Sequence, residues 1–138
     1  MKVDEVIEKV SAMVQEYWAA SGQNPTEELY AALVEEEGKE WDKTEANSTE
    51  ELKEASDYLY VLVGQYLLSQ DKEELKLKIE FVCRYCNAFS LKVMTAIERV
   101  HKNNMDRMYQ DDGTILRRED GKIIKNPKTP KVSLEDLV

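Results

Sequence analysis

Four carboxylates carry the first chemical signal in this sequence. Glu37 and Glu40 stand three apart in LVEEEGKEWDK, and Glu54 and Asp57 stand three apart in KEASDYLYVL. That spacing puts each pair on one face of an α-helix, about a turn apart. Leu29 and Leu33 begin an apolar stripe that Glu37 and Glu40 continue. The face holding Glu54 and Asp57 runs on to Val61 and Leu68. Both pairs therefore interrupt inward stripes. On neighbouring helices they would share one small volume, where a like-charged pair at ~4 Å costs about 4 kcal/mol even at an effective dielectric near ~20. Protonation, basic partners or divalent cations could offset this repulsion. No Lys or Arg is evident on the inward stripes near them. All-oxygen donors select hard cations such as Mg²⁺, with Mn²⁺ also suited. Magnesium keeps several waters and takes substrate phosphates as further ligands, so such a cage suits a polyphosphate. The plainer reading is a set of solvated helix faces, since the chain holds 28 acidic residues. Glu27, Glu28, Glu50, Glu51, Glu73 and Glu74 fit that reading, at helix starts where acids suit the helix dipole.

The elements that must position these residues follow from apolar spacing. A first helix is expected from Val3 to Ala20, with Val6, Val10, Met13, Val14, Tyr17 and Trp18 on one face. Asn24 reads as an N-cap, Pro25 as the first helical residue and Glu27 as its capping partner, opening a second helix to about Trp41. Ser48 and Glu51 make a capping-box pair for a third helix. That helix becomes apolar all round in YLYVLVGQYLL, which places it in the middle of a bundle. The loop before it is short, so the second and third helices are expected to be antiparallel neighbours. SQDKEE marks a break, with Asp71 and Glu74 at capping spacing, and a fourth helix runs to about Cys86. Ser90 reads as the cap of a fifth helix to about Met108, with Val93, Met94, Ile97, Val100 and Met105 inward. Asp120-Gly121 between two short β-prone runs signals a hairpin, and NPKTPKVSLEDLV reads as an extended tail. The expected fold is an all-α bundle of four to five helices over residues 1–110. A short C-terminal β-hairpin and tail over 111–138 follow it.

Composition bounds the partners. The chain has 138 residues, 42% hydrophobic and 34% charged, with only 5 Gly and 3 Pro. This suits one soluble helical domain. A net charge of -9 repels nucleic-acid phosphates. MKVDEVIEKV lacks the uninterrupted apolar core of a signal peptide, and no apolar run reaches membrane-spanning length. With two Cys, a cytoplasmic protein without nucleic-acid or membrane partners is expected.

The acidic pairs and several further stretches resemble a known family. EEEGKE, followed across a loop by EASD, is similar to the E-x-x-E … E-x-x-D signature of the all-α nucleoside triphosphate pyrophosphohydrolases. That group includes MazG-like enzymes, dimeric dUTPases, dCTP pyrophosphatases and phosphoribosyl-ATP pyrophosphohydrolase. VHKNNMDRM resembles the VHxSNMxK element of phage and bacterial MazG-like proteins. DGTILRREDGKIIKNP with a terminal DL resembles the tail that often follows it, and EYWAASGQNP is similar to their N-terminal helix end and loop. Together these cover most of the chain. SQDKEELKLKIEFVCRYC lengthens the path to VHKNNMDRM relative to the family.

The resemblance implies a bundle that oligomerises as a homodimer or a homotetramer built as a dimer of dimers. It implies Mg²⁺-dependent cleavage of a nucleoside triphosphate between the α- and β-phosphates, giving a monophosphate and pyrophosphate. It assigns the metal and the catalysis to Glu37, Glu40, Glu54 and Asp57. Glu36 is the acid often found before the first ligand, and Glu35 reads as a bystander. Asn104 matches an Asn that contacts the nucleotide, and its amide offers both donor and acceptor. Arg107 stands where the family commonly has Lys; either side chain suits a phosphate. Two alternatives remain: a non-catalytic helical partner that kept the bundle, and phosphoribosyl-ATP hydrolysis by the same chemistry.

Other residues have bland and sharp readings. Trp18, beside SGQNP, is a core anchor or a base-stacking platform, and Trp41 poses the same choice. Tyr58 and Tyr60 read as packing. Cys83 and Cys86 form a C-x-x-C, but only His101 could add a zinc ligand, so buried helical thiols are expected. His101 reads as a surface or interface residue near a helix end, with substrate contact as the sharper alternative. Lys122, Lys125, Lys128 and Lys131 read as a solubilising extension or as an arm closing over a neighbour's site.

Overall fold

Helices dominate, in the order that the apolar spacing predicts. The computed structural model describes residues 2–138. Five helices, α1 (Val3–Ser21), α2 (Glu27–Asp42), α3 (Thr49–Leu68), α4 (Lys72–Ala88) and α5 (Val93–Asp106), precede two short strands, β1 (Leu116–Arg117) and β2 (Ile123–Ile124). The strands are antiparallel, with Leu116 opposite Ile124 and Arg117 opposite Ile123. The fold is an all-α bundle with a C-terminal β-hairpin. Among the described residues no helix is long and apolar enough to cross a membrane.

α3 is the hub. It packs against α1, α2, α4 and α5, and its all-round apolar sequence is the reason. Leu52, Ala55, Leu59, Leu62 and Val63 on it are fully buried. They meet Val6, Val10 and Val14 of α1, Ile79 and Val82 of α4, and Val93, Ala96 and Ile97 of α5 in one cluster. Each large aliphatic buried this way contributes about 1.5–3 kcal/mol. Cys83 and Cys86 are free thiols inside the same core, as their helical spacing predicts. The tail is part of the packing: Leu134 joins this core and Ile123 is buried.

Several element ends differ from the sequence reading. Ser48 caps α3 as expected, accepting from Glu51 N at 3.0 Å. Thr26, not Asn24, caps α2, with Oγ1 accepting from Leu29 N at 3.1 Å. Pro25 therefore precedes the cap; two good capping residues flank it, and sequence alone does not rank them. Asp71 makes no capping bond, and its N–H donates to Ser69 Oγ instead. Ser90 closes α4 and does not open α5. It sits at φ 56, and the next N–H, on Leu91, reaches back to Cys86 O at 2.8 Å. The hairpin turn is a three-residue loop. Gly121 N donates to Arg118 O, Arg118 N donates to Lys122 O, and Gly121 lies at φ 97. Asp120 keeps a negative φ, so the Asp-Gly pair forms a turn with a glycine bulge, not the two-residue primed turn.

Candidate metal centre and its cavity

α2 and α3 lie against each other because glycines and rings interlock between them. A Cβ on Gly64 would overlap the Tyr30 ring, and one on Gly38 would stand 3.3 Å from the Tyr58 ring. Near the loop that joins the two helices, buried Glu51 acts as a pin. Its Oε2 accepts from Trp41 Nε1 at 3.1 Å and Tyr85 OH at 3.0 Å, and its Oε1 accepts from Asn47 N at 2.9 Å. The sequence makes Glu51 a helix-start acid and the capping-box partner of Ser48; its carboxylate instead takes Asn47 N and reaches partners on α2 and α4. Trp41 thus serves packing, against Tyr58 and Tyr85.

On this frame, Glu37, Glu54 and Asp57 each turn one oxygen toward a common point, all within 4.8 Å of one another. Glu40 stands apart. Its side chain is 52% exposed and pairs with Lys43 at 3.4 Å. The reason is helical phase. After Glu37 the inward face of α2 steps on to Trp41, which turns to Glu51, and Glu40 falls at the rim. Its charge still reaches Glu54. Burial, then the charges of Asp57 and Glu54, push the Glu37 carboxyl up to about 7. Burial also raises Glu54, with Asp57 adding to it and Lys53 opposing.

The expectation of no base near the carboxylates fails. Lys53 Nζ lies 2.5 Å from Asp57 Oδ2 and 3.6 Å from Glu54 Oε1. It sits four residues before Asp57 on α3, one turn away, so its stem runs along the helix to reach the cluster. Burial pulls its ammonium down, but Asp57 outweighs that and holds it above the ordinary lysine value. A second base comes from the tail. Lys125 follows β2 and lines the same cavity as Glu37 and Asp57. Burial draws its ammonium below the usual value, opposed by Asp57.

The cavity measures about 70 Å³ and also touches Asn104, Tyr60, Lys122 and Gln23. Asn104 is buried, where its sequence match predicts a functional amide. His101 is buried too, a correction to the surface reading, because the inward face of α5 continues from Ile97 through Val100 and His101 to Asn104. Its Nε2 meets Glu16 Oε1 at 2.8 Å and its Nδ1 meets Tyr60 OH at 2.9 Å. A carboxylate only accepts, so Nε2 donates to Glu16, and in the neutral ring Nδ1 is then the acceptor facing Tyr60 OH. Tyr60, read from sequence as packing, therefore also ties the cavity wall to α1 and α5.

Two expected substrate residues lie outside the cavity lining. Arg107 Nε donates to Asn126 O at 3.3 Å while Asn126 N donates to Arg107 O at 2.8 Å, so Arg107 ties the end of α5 to the tail. Trp18 donates from Nε1 to Tyr30 OH at 2.6 Å and packs edge-on against that ring, which does line the cavity. The tail is not a loose extension. Arg118 and Lys122 pair with Glu36 on α2 at 2.8 and 3.3 Å, latching the hairpin over the chain's own cluster. Arg118 holds the Glu36 carboxyl below its ordinary value. A second, open cleft of about 480 Å³, lined by Glu40, Glu50, Lys43 and Glu54, shares Glu54 with the cluster.

Comparison with family models, with curated proteins and with solved structures yields no significant match to this chain.

Proposed function

We propose that this chain is a divalent-cation-dependent nucleoside triphosphate pyrophosphohydrolase that cuts between the α- and β-phosphates. The observation that carries this reading is the convergence of Glu37, Glu54 and Asp57 within 4.8 Å at the edge of a cavity. The donor set fits Mg²⁺ or Mn²⁺: the atoms are hard oxygens. Burial and its neighbours hold Glu37 at about 7, which leaves the cluster short of positive charge even with Lys53 present. Glu37, Glu54 and Asp57 would hold the ion, with Glu40 reaching in from the rim. Bound there, it would polarise a phosphoryl oxygen and neutralise the charge that builds as the anhydride breaks.

The chain's own groups supply the rest. Asn104 hydrogen-bonds the nucleotide, held in place by burial on α5. A carboxylate of the cluster accepts the proton that the attacking water loses. The water oxygen joins one product, the bridging P–O bond breaks, and monophosphate and pyrophosphate separate. The cavity is well below the ~300 Å³ of a small-molecule site. The remainder of the substrate therefore occupies the adjoining surface or that of a second copy. Leu77 and Phe81, four apart on α4, are exposed large apolar residues, and such surface suits a homo-oligomer. Two free cysteines fit a reducing cytoplasm.

Incubation with each NTP and dNTP plus Mg²⁺ tests the reading. Release of a monophosphate and pyrophosphate is expected, and silence across the whole screen refutes it. Asp57→Asn should cut turnover by ~100-fold or more with the helical circular dichroism retained. One observation favours the non-catalytic alternative: Lys53 already occupies Asp57. Magnesium calorimetry separates the two, since a scaffold whose cluster is satisfied by lysine binds no ion. Phosphoribosyl-ATP belongs in the same screen because it presents the same bond.

A further inference from the structure

We infer that Lys125, carried on the tail, builds an anion subsite in the cavity that receives the pyrophosphate end of a polyphosphate. This rests on the hydrolase reading for its substrate, but the subsite is testable without turnover. Strand alternation puts Ile123 and Lys125 on one face. Ile123 is buried and anchors that face, while Ile124 points outward. The strand is fixed on both sides of Lys125. Lys122 pairs with Glu36 at 3.3 Å before it. Asn126 exchanges two hydrogen bonds with Arg107 after it, and its Nδ2 donates to Tyr109 O at 3.0 Å and Asp111 Oδ1 at 2.9 Å. Lys125 is therefore delivered to the cavity by a backbone with little freedom.

Its charge is left unused there. Arg118 and Lys122 are taken by Glu36, Lys128 by Asp111 at 2.8 Å, and Arg117 by Ser21 O at 2.6 Å. Asp57, the carboxylate nearest in effect to Lys125, is already engaged by Lys53. Among the described residues Lys125 makes neither an ion pair nor a hydrogen bond through its ammonium. Lys125 is half-buried, so an unpaired ammonium stands at the cavity wall where an anion can reach it. The sign of that ligand follows from counting charges. Glu37, Glu54 and Asp57 face Lys53 and Lys125. With Glu40 counted at the rim, one divalent cation would bring that balance to zero, and Lys125 stays as the positive charge without a direct partner that an anion would meet. The size follows from the cavity: about 70 Å³ admits a phosphate group. A phosphate end enters.

The test is binding of inorganic pyrophosphate by calorimetry in excess Mg²⁺. The wild type, K125M, K125R and the surface control K128M are compared. K125M should weaken pyrophosphate about tenfold or more, K125R should recover part of it, and K128M should match the wild type. Affinity for Mg²⁺ alone should hold in K125R and K128M and should not fall in K125M. K125M should also raise KM for the active triphosphate and spare the affinity for its nucleoside. If K125M melts early, K125Q replaces it. Wild-type-like pyrophosphate binding by K125M, or none by the wild type, overturns the subsite. A purely structural counter-ion role would lower the melting temperature of K125M and leave pyrophosphate affinity intact, which also overturns it. If pyrophosphate binding responds but no nucleotide is cut, the hydrolase reading fails and the subsite stands. If nucleotides are cut by K125M with unchanged KM, the reverse holds.

Discussion

Replacing Glu37 by Gln keeps the shape of the side chain and removes the charge that the cluster resists most. The Glu37 carboxyl titrates at an ordinary 4.5 in the unfolded chain and about 7 in the fold. Its folded value is raised, so protonated Glu37 fits the fold and ionised Glu37 strains it. The strain is absent below pH 4.5, grows as the pH rises, and is complete above about 7. A tenfold change in acidity is worth about 1.4 kcal/mol, which makes the full effect on the order of 3 kcal/mol. The carboxyl keeps part of its water, and that screening brings it to about 2 kcal/mol. Glu37→Gln without divalent cations should therefore be about 2 kcal/mol more stable than the wild type at pH 8. For a chain of this length that is a rise of roughly 8 °C in Tm. At pH 4.5 the two should agree within ~0.5 kcal/mol.

Urea denaturation at both pH values in EDTA, followed by circular dichroism, measures this. The same melts in Mg²⁺ supply the second half. An ion held by Glu37 stabilises the wild type, by about 2.7 kcal/mol at one hundred times Kd. Glu37→Gln should gain little, so the order of stabilities reverses at pH 8. Near pH 7 the wild type should also release protons on binding, seen as a buffer-dependent heat. A variant that is less stable than the wild type at pH 8 in EDTA, or a difference that ignores pH, would refute the reasoning.

Glu51→Ala strips the acceptor from Trp41, Tyr85 and Asn47 N; a loss of about 2–4 kcal/mol with a shifted Trp fluorescence is expected, and a loss under ~1 kcal/mol contradicts the pin. Gly64→Ala forces the Tyr30 ring off α3; about 1–3 kcal/mol of destabilisation should appear in denaturant, along with an altered near-ultraviolet spectrum. Lys53→Met frees Asp57 and Glu54; calorimetry should find Mg²⁺ bound about tenfold more tightly at neutral pH, and weaker binding would mean that Lys53 supports the ion instead of competing with it.

The sequence states what one helix buries and says little about what folds over it. α1 to α5 were legible because their apolar residues recur at helical spacing, and Glu37, Glu54 and Asp57 because they break that spacing. Glu40 was misplaced for a geometric reason: three residues fall about 60° short of a full turn, enough to move a side chain from interior to rim. Lys53 is legible in principle, four before Asp57, on the flank of α3 beside its inward stripe. Lys125 and the Glu16–His101–Tyr60 chain were not visible. The first depends on a hairpin folding back across α2, the second on α1 and α5 meeting α3. Such long-range approaches leave no local period to read.

The two lysines at the cluster differ in what holds them, and this separates their roles. Lys53 lies on α3 itself, with a side chain 38% exposed. Its stem can swing to solvent without disturbing any packed residue, so exchanging its contact with Asp57 for water is inexpensive. Lys125 is held differently, through its backbone. Buried Ile123 and the Arg107–Asn126 bonds fix its backbone on either side. Moving it means lifting the hairpin, which breaks the pairs of Arg118 and Lys122 with Glu36 and exposes Ile123. The ion pairs are partly exposed and worth ~1 kcal/mol or less each. Ile123 contributes about 1.5–3 kcal/mol, the larger share of the latch. Arg117 donates to Ser21 O at 2.6 Å and Gln23 Nε2 donates to Gly121 O at 3.3 Å, so the hairpin is tied to the end of α1 as well as to α2.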